Sequence, residues 1–176
     1  NVQTSADGKL VTWTETRAIM DADKSEFVPQ IFLSRGPSTP PLQLTRGEKG
    51  ANAPALSPDA AFVYFLSERS GKRNLYRIST SGGEAEMLTN WKGSLGSYKL
   101  SPNGKWIALA AAEEDAEEEK AKKEKRDFKV VDEKPRLQSL WIIPVDEDSA
   151  GKRTPKKLTP PAYHVGQLDW SPASLH

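Results

Sequence analysis

Three Leu-Thr dipeptides constrain this chain more than any other feature. They are Leu44-Thr45, Leu88-Thr89 and Leu158-Thr159. Each closes a stretch that opens on a Ser-x-Asp or Ser-x-Asn turn: Ser5-Ala6-Asp7, Ser57-Pro58-Asp59 and Ser101-Pro102-Asn103. Ser171-Pro172 looks like the opening of a fourth. Thr45 and Thr89 lie 44 positions apart, Thr89 and Thr159 lie 70 apart, and the excess of 26 coincides with a charged insertion after Ala112. Self-similarity at this period means a repeat architecture, and ~40–45 residues is the length of one four-stranded propeller blade.

Each unit is locally consistent with that assignment. Asp7-Gly8 and Asn103-Gly104 are tight-turn dipeptides, because Gly accepts positive φ and Asp or Asn tolerates it. Ala60-Ala61 stand where the third unit has Gly104-Lys105. An alanine disfavours the positive-φ turn, which leaves the turn type of the second unit open but not its strand order. Apolar runs follow the turns: Leu10-Val11-Thr12-Trp13, Phe62-Val63-Tyr64-Phe65-Leu66 and Trp106-Ile107-Ala108-Leu109-Ala110. Continuous rather than alternating, they predict strands buried on both faces. A second strand is expected at Gln30-Ile31-Phe32-Leu33, Leu75-Tyr76-Arg77-Ile78 and Leu140-Trp141-Ile142-Ile143, and a short last one ending at Leu-Thr. No amphipathic helix of core length interrupts the pattern.

The expected fold is therefore all-β, a partial β-propeller of four-stranded antiparallel blades. The units run over about 1–45, 46–89 and 90–159, with 160–176 a partial fourth and the insertion over about 113–135. Three blades and a fragment are fewer than the four to eight of a closed propeller, so the chain is expected to be a segment of a larger one. Within the insertion, acidic residues 113–119 precede basic residues 120–126, an order suited to a helix dipole. Without an apolar stripe it reads as a solvated helix or hairpin tip. Phe128, Val130 and Val131 read as a returning strand.

Composition narrows the function classes. The formal net charge of +1 gives no global pull toward nucleic acid or an anionic membrane. There are no cysteines, hence no disulfide and no thiolate metal site. No apolar stretch approaches a membrane span. Gly93-Ser94-Leu95-Gly96-Ser97 has the wrong spacing for a nucleophile elbow. Of the two histidines, His176 ends the chain and His164 lies in a Pro160-Pro161-Ala162-Tyr163-His164 connection, where a loop role is expected. Gly82-Gly83 is a hairpin turn. The tryptophans (Trp13, Trp91, Trp106, Trp141, Trp170) mostly fall in apolar strands and are expected in the core, with Trp91 the candidate for exposure. No catalytic, cofactor-binding or metal-binding residue is assigned, and no cofactor.

The pattern Ser-Pro-Asp, Phe-Val-Tyr-Phe-Leu-Ser-Glu-Arg-Ser-Gly, Leu-Tyr-Arg-Ile, Gly-Gly-Glu, Leu-Thr over residues 57–89 resembles the WD40-like propeller repeat of TolB-type proteins and of the prolyl oligopeptidase family of serine peptidases. Val130-Val131-Asp132-Glu133-Lys134-Pro135-Arg136 followed by Ser139-Leu140-Trp141-Ile142-Ile143-Pro144-Val145 resembles its acylaminoacyl-peptidase-like and dipeptidyl-peptidase-like members. That resemblance implies a propeller preceding an α/β-hydrolase domain and gating entry of short peptides to it. The implied partners are peptide substrates of the parent enzyme, the hydrolase domain and the remaining blades, with a homo-oligomer compatible and no nucleic acid. The alternative is a TolB-like, non-enzymatic propeller binding protein in the cell envelope. Some dipeptidyl-type relatives bind a substrate amino terminus with a Glu pair; Glu117-Glu118-Glu119 lacks the aromatic context of that motif. The compartment, periplasmic or secreted versus cytoplasmic, stays open.

Overall fold

In the computed structural model of the chain, the described residues are 2–21, 24–114, 137–160 and 163–172. Most of the charged insertion, with Glu117-Glu118-Glu119 and the expected strand at Phe128, Val130 and Val131, lies outside them. Every element among the described residues is a strand. The first sheet holds β1 (Val2–Thr4), β2 (Val11–Asp21), β3 (Lys24–Ser34) and β4 (Leu42–Gln43). The second holds β5 (Asn52–Leu56), β6 (Phe62–Ser67), β7 (Asn74–Ser79) and β8 (Glu86–Met87). The third holds β9 (Ser94–Leu100), β10 (Trp106–Ala112), β11 (Ser139–Pro144) and β12 (Lys156–Lys157). In all three, each strand pairs antiparallel with its sequence neighbours, an up-and-down meander. The contacts divide the chain into two compact units: residues 1–90 with a few others, carrying the first two sheets, and a second unit carrying the third sheet and residues 163–172.

Each recurrent dipeptide has a physical task that repeats. At the opening turn of the first sheet the Ser5 hydroxyl donates to Asp7 Oδ1 at 2.6 Å and accepts from the Leu10 backbone N–H at 2.9 Å. Ser57 does the same with Asp59 at 2.5 Å and Phe62 N–H at 2.9 Å. Ser101 accepts from Trp106 N–H, also at 2.9 Å. At the closing end, the N–H groups of Leu44, Leu88 and Leu158 each donate at 2.8 Å to the carbonyl of Ile31, Leu75 and Leu140 in turn. The threonine that follows turns back on the same strand, its Oγ1 accepting from Ile31, Leu75 and Leu140 N–H at 2.9 Å. Ser-x-Asp thus staples the start of the second strand, and Leu-Thr brackets the third.

The alanine in the second turn does not change its geometry. Ala60 takes φ +59°, close to the +69° of Gly8 and +70° of Gly104. Its N–H donates to Ser57 O at 2.9 Å, as Gly8 N–H does to Ser5 O. The open turn type is thereby settled as the same one: the Ser57–Asp59 staple and the β5–β6 pairing impose the left-handed conformation at a cost of ~1–2 kcal/mol.

The first two sheets pack face to face through Ile31, Leu33 and Leu44 of one and Val63, Phe65 and Ile78 of the other. Continuous burial holds for β6, where Val63 through Ser67 are all buried. It fails for β2, where Thr12 is buried but Val11, Trp13 and Thr14 are half-buried. β2 and β3 also run farther than expected, staying in register from Val11↔Ser34 to Asp21↔Lys24. β1 pairs only with Val11, Thr12 and Trp13, and β4 only with Phe32 and Leu33. The far end of the pair, beyond Val28, projects as a two-stranded ribbon carrying Phe27, 77% exposed.

None of the five tryptophans is fully buried, a second correction. An indole is large and carries an N–H that must find an acceptor, which favours strand ends and rims. Trp91 Nε1 donates to Ala112 O at 2.8 Å, Trp141 Nε1 to Ala111 O at 3.1 Å and Trp170 Nε1 to Lys99 O at 3.1 Å. Trp91, the candidate for exposure, is half-buried edge-on against Trp141, ring centroids 4.9 Å apart. Trp106 is the exposed one, at 41%.

Candidate functional site: a groove along the first sheet's last strand

The described residues hold no group of three or more His, Asp or Glu that could hold a metal ion. His164 is exposed in a loop, where its Nδ1 accepts the Gln138 backbone N–H at 3.3 Å. That contact suits a loop anchor. Gly82 and Gly83 have φ of +93° and +108°, and Gly82 N–H closes the β7–β8 turn on Ser79 O at 2.9 Å. Gly82-Gly83 is thus the hairpin turn expected.

What the first unit does offer is a groove of about 640 Å³ between β4, with the residues just after it, and the second sheet. Its apolar floor includes Leu42, Leu44 and Ile78. Arg46 follows β4, and Arg69 stands in the β6–β7 turn. The β7–β8 turn, with Gly82, Gly83 and Glu84, lines it as well. A second hollow of about 300 Å³ shares Arg46 and Arg69 and adds Gln30, Glu48 and Lys49. The two guanidinium groups are common to both.

A repeated aromatic pair places Arg69. The cross-strand partners Phe65 and Tyr76 stack with centroids 5.7 Å apart, as Trp13 and Phe32 do at 5.8 Å. Four residues after Phe65, Arg69 lays its guanidinium over both rings at 5.1 Å from each centroid. Four residues after Trp13, Arg17 lies 5.1 Å from the Phe32 ring, but it is also tied to Glu15 at 2.7 Å. In the third sheet Glu113 holds that position and pairs at 3.0 Å with Lys157, which covers Trp141 at 5.3 Å. Arg69 differs from both: it meets the rings and the Ser67 hydroxyl, and no carboxylate among the described residues. Partial burial pulls its pKa down from the ordinary arginine value, with Tyr76 opposing; an arginine nonetheless stays charged. Sequence reading missed this site because Arg69 sits in a string, Ser67-Glu68-Arg69-Ser70-Gly71, that reads only as a polar turn.

Three four-stranded antiparallel meanders, the first two sharing a core, define an all-β chain of propeller blades. The family described as the dipeptidyl peptidase IV (DPP IV) N-terminal region matches residues 3–117, and the chain belongs to that family. It is 28% identical over 111 residues, 62% of its own length, to the uncharacterized peptidase YuxL of Bacillus subtilis, of which it spans 17%. It is 37% identical over 57 residues to the Tol-Pal system protein TolB of Francisella tularensis, covering 32% of this chain and 13% of that one. Among solved structures, the acylaminoacyl peptidase of Pyrococcus horikoshii superposes with a TM-score of 0.58 at 14% identity, over 89% of this chain and 24% of that chain. The chain thus spans about a sixth of YuxL and about a quarter of the archaeal structure.

Proposed function

We propose that this chain is the propeller segment through which a serine oligopeptidase or aminopeptidase selects its peptide substrates, hydrolysis being carried out by an α/β-hydrolase domain outside residues 1–176. Membership of the dipeptidyl peptidase IV N-terminal family carries the reading. It agrees with a sequence that has no nucleophile elbow and with sheets whose repeated motifs are all spent on turns and strand closure. Blades packed face to face make a rigid wall, and such a wall sorts substrates by size rather than by chemistry. The chain's similarity to TolB supports a second reading, a non-enzymatic propeller that binds protein.

Size selection is the property that separates them. The full-length protein should cleave a short chromogenic peptide and leave the same sequence intact when it is grafted into a folded carrier protein. Cleavage of both at equal rates removes the gating role. Cleavage of neither, together with stable capture of a protein ligand, favours the TolB-like reading.

A further inference from the structure

We propose that Arg46 and Arg69 hold the carboxylate of an extended peptide that lies in the groove along β4. The peptide class rests on the proposed role in peptide selection; the cationic end of the groove does not.

The groove has length and polarity. Residues 42–46 line one side of it without a break, and Arg69, Ile78 and residues 81–85 line the other. Five extended residues rise ~16 Å, which accommodates about five extended peptide residues. Two guanidinium groups mark one end and Glu84 the other. A peptide with free termini carries the complementary charges at the matching ends.

The charge count selects the anion. Arg46, Arg69 and Glu84 are the charged residues lining the groove, a net of one positive charge. That balances a carboxylate monoanion and leaves a phosphate dianion in excess. Guanidinium forks match carboxylates in bidentate geometry. Arg46 and Arg69 have no carboxylate partner of their own among the described residues. The rings of Phe65 and Tyr76 restrict Arg69 before a ligand arrives, which lowers the entropy lost on binding. At the far end Gly83 has no atom within 4 Å of where a Cβ would stand, so that end of the groove stays open. The apolar floor at Leu42, Leu44 and Ile78 suits aliphatic side chains beside the carboxylate.

Calorimetry on the full-length protein, with any catalytic serine blocked, tests this with three probes: the peptide Ala-Ala-Ala-Ala-Leu with a free carboxyl terminus, the same peptide amidated, and an amidated version ending in Glu. The free form should bind about tenfold more tightly than the amidated one, the scale of losing hydrogen bonds to a charged group. Recovery by the Glu-ended amide would place the carboxylate on a side chain rather than the terminus, within the same chemistry. R46A and R69A should each remove most of that tenfold advantage, and R46K should restore part of it. Unchanged thermal unfolding of each variant keeps the comparison about binding. Equal affinity for free and amidated peptides, loss of the preference in neither variant, or equal displacement by inorganic phosphate overturns the proposal. Lost binding with unchanged hydrolysis in R46A would uphold the groove as a peptide site and count against peptide selection by this segment.

Discussion

Replacing Thr89 by valine isolates the bracket that closes the second sheet. The side chain keeps its shape and loses its hydroxyl. That hydroxyl accepts from Leu75 N–H and donates to Asn74 Oδ1, both at 2.9 Å. Leu75 is 0% exposed and Asn74 2%, so water cannot replace either bond without opening the strand. An unsatisfied buried group costs ~1–3 kcal/mol, and the added methyl returns somewhat less than 1 kcal/mol. The expected loss is about 3 kcal/mol. Thr159 provides the internal comparison: it makes the same bond to Leu140 N–H at 2.9 Å, but both residues are only half-buried. T159V should therefore cost about 1 kcal/mol. Amide hydrogen exchange on the full-length protein reads the two sites separately, which matters because the two units need not unfold together. In T89V, exchange at Leu75 and its neighbours in β7 should accelerate by about two decades, with β11 unchanged. The reasoning is refuted if T89V leaves β7 within a factor of three of the parent, or if T159V proves the more damaging change.

Ala60→Gly should stabilise the second sheet by roughly 0.5–1 kcal/mol, because the residue already holds φ +59° and the relief of side-chain strain exceeds the added unfolded-state entropy; thermal unfolding should move upward by ~2 °C, and a decrease would contradict the imposed-turn account. Gly93→Ala should destabilise the β9–β10 edge by several kcal/mol, since its Cβ would collide with the Ala112 carbonyl oxygen and the Glu113 backbone; a neutral outcome in denaturant would show that the strand end can shift. The Ser57 hydroxyl, and after it the Ala61 N–H, hold the Asp59 carboxyl below its usual 3.8. A depressed folded pKa means that its contribution is full above the unfolded value and is lost as pH falls through the folded one. Carboxyl NMR should place the Asp59 midpoint below 3.8, S57A should return it toward that value, and an unshifted midpoint in the parent would discount the staple.

The repeat was legible because its period and its turn chemistry are local. Ser-x-Asp or Ser-x-Asn and Leu-Thr recur as short motifs, and the structure assigns each a repeated hydrogen bond within a few residues or across one strand pair. The lengths of β2 and β3 were not legible. Thr14, Thr16 and Arg17 look like the end of an apolar run, yet cross-strand pairing carries them into a ribbon. The tryptophans misled because hydrophobicity predicts burial while the indole N–H demands a carbonyl at a rim, as Trp91 and Trp141 find. Arg46 and Arg69 are 23 positions apart in two polar turns, and only the packing of the second sheet against the first brings them to one groove. Ala60 shows the reverse case, where a local preference was read correctly and then overridden by the staple around it.

The account stands most directly on where the reactive serine lies. Fluorophosphonate labelling of the full-length protein, followed by peptide mapping, locates it. The predicted result is a single labelled serine outside residues 1–176. A labelled serine within them, or no labelling of a folded and intact protein, would contradict the reading of this chain as the propeller of a serine peptidase.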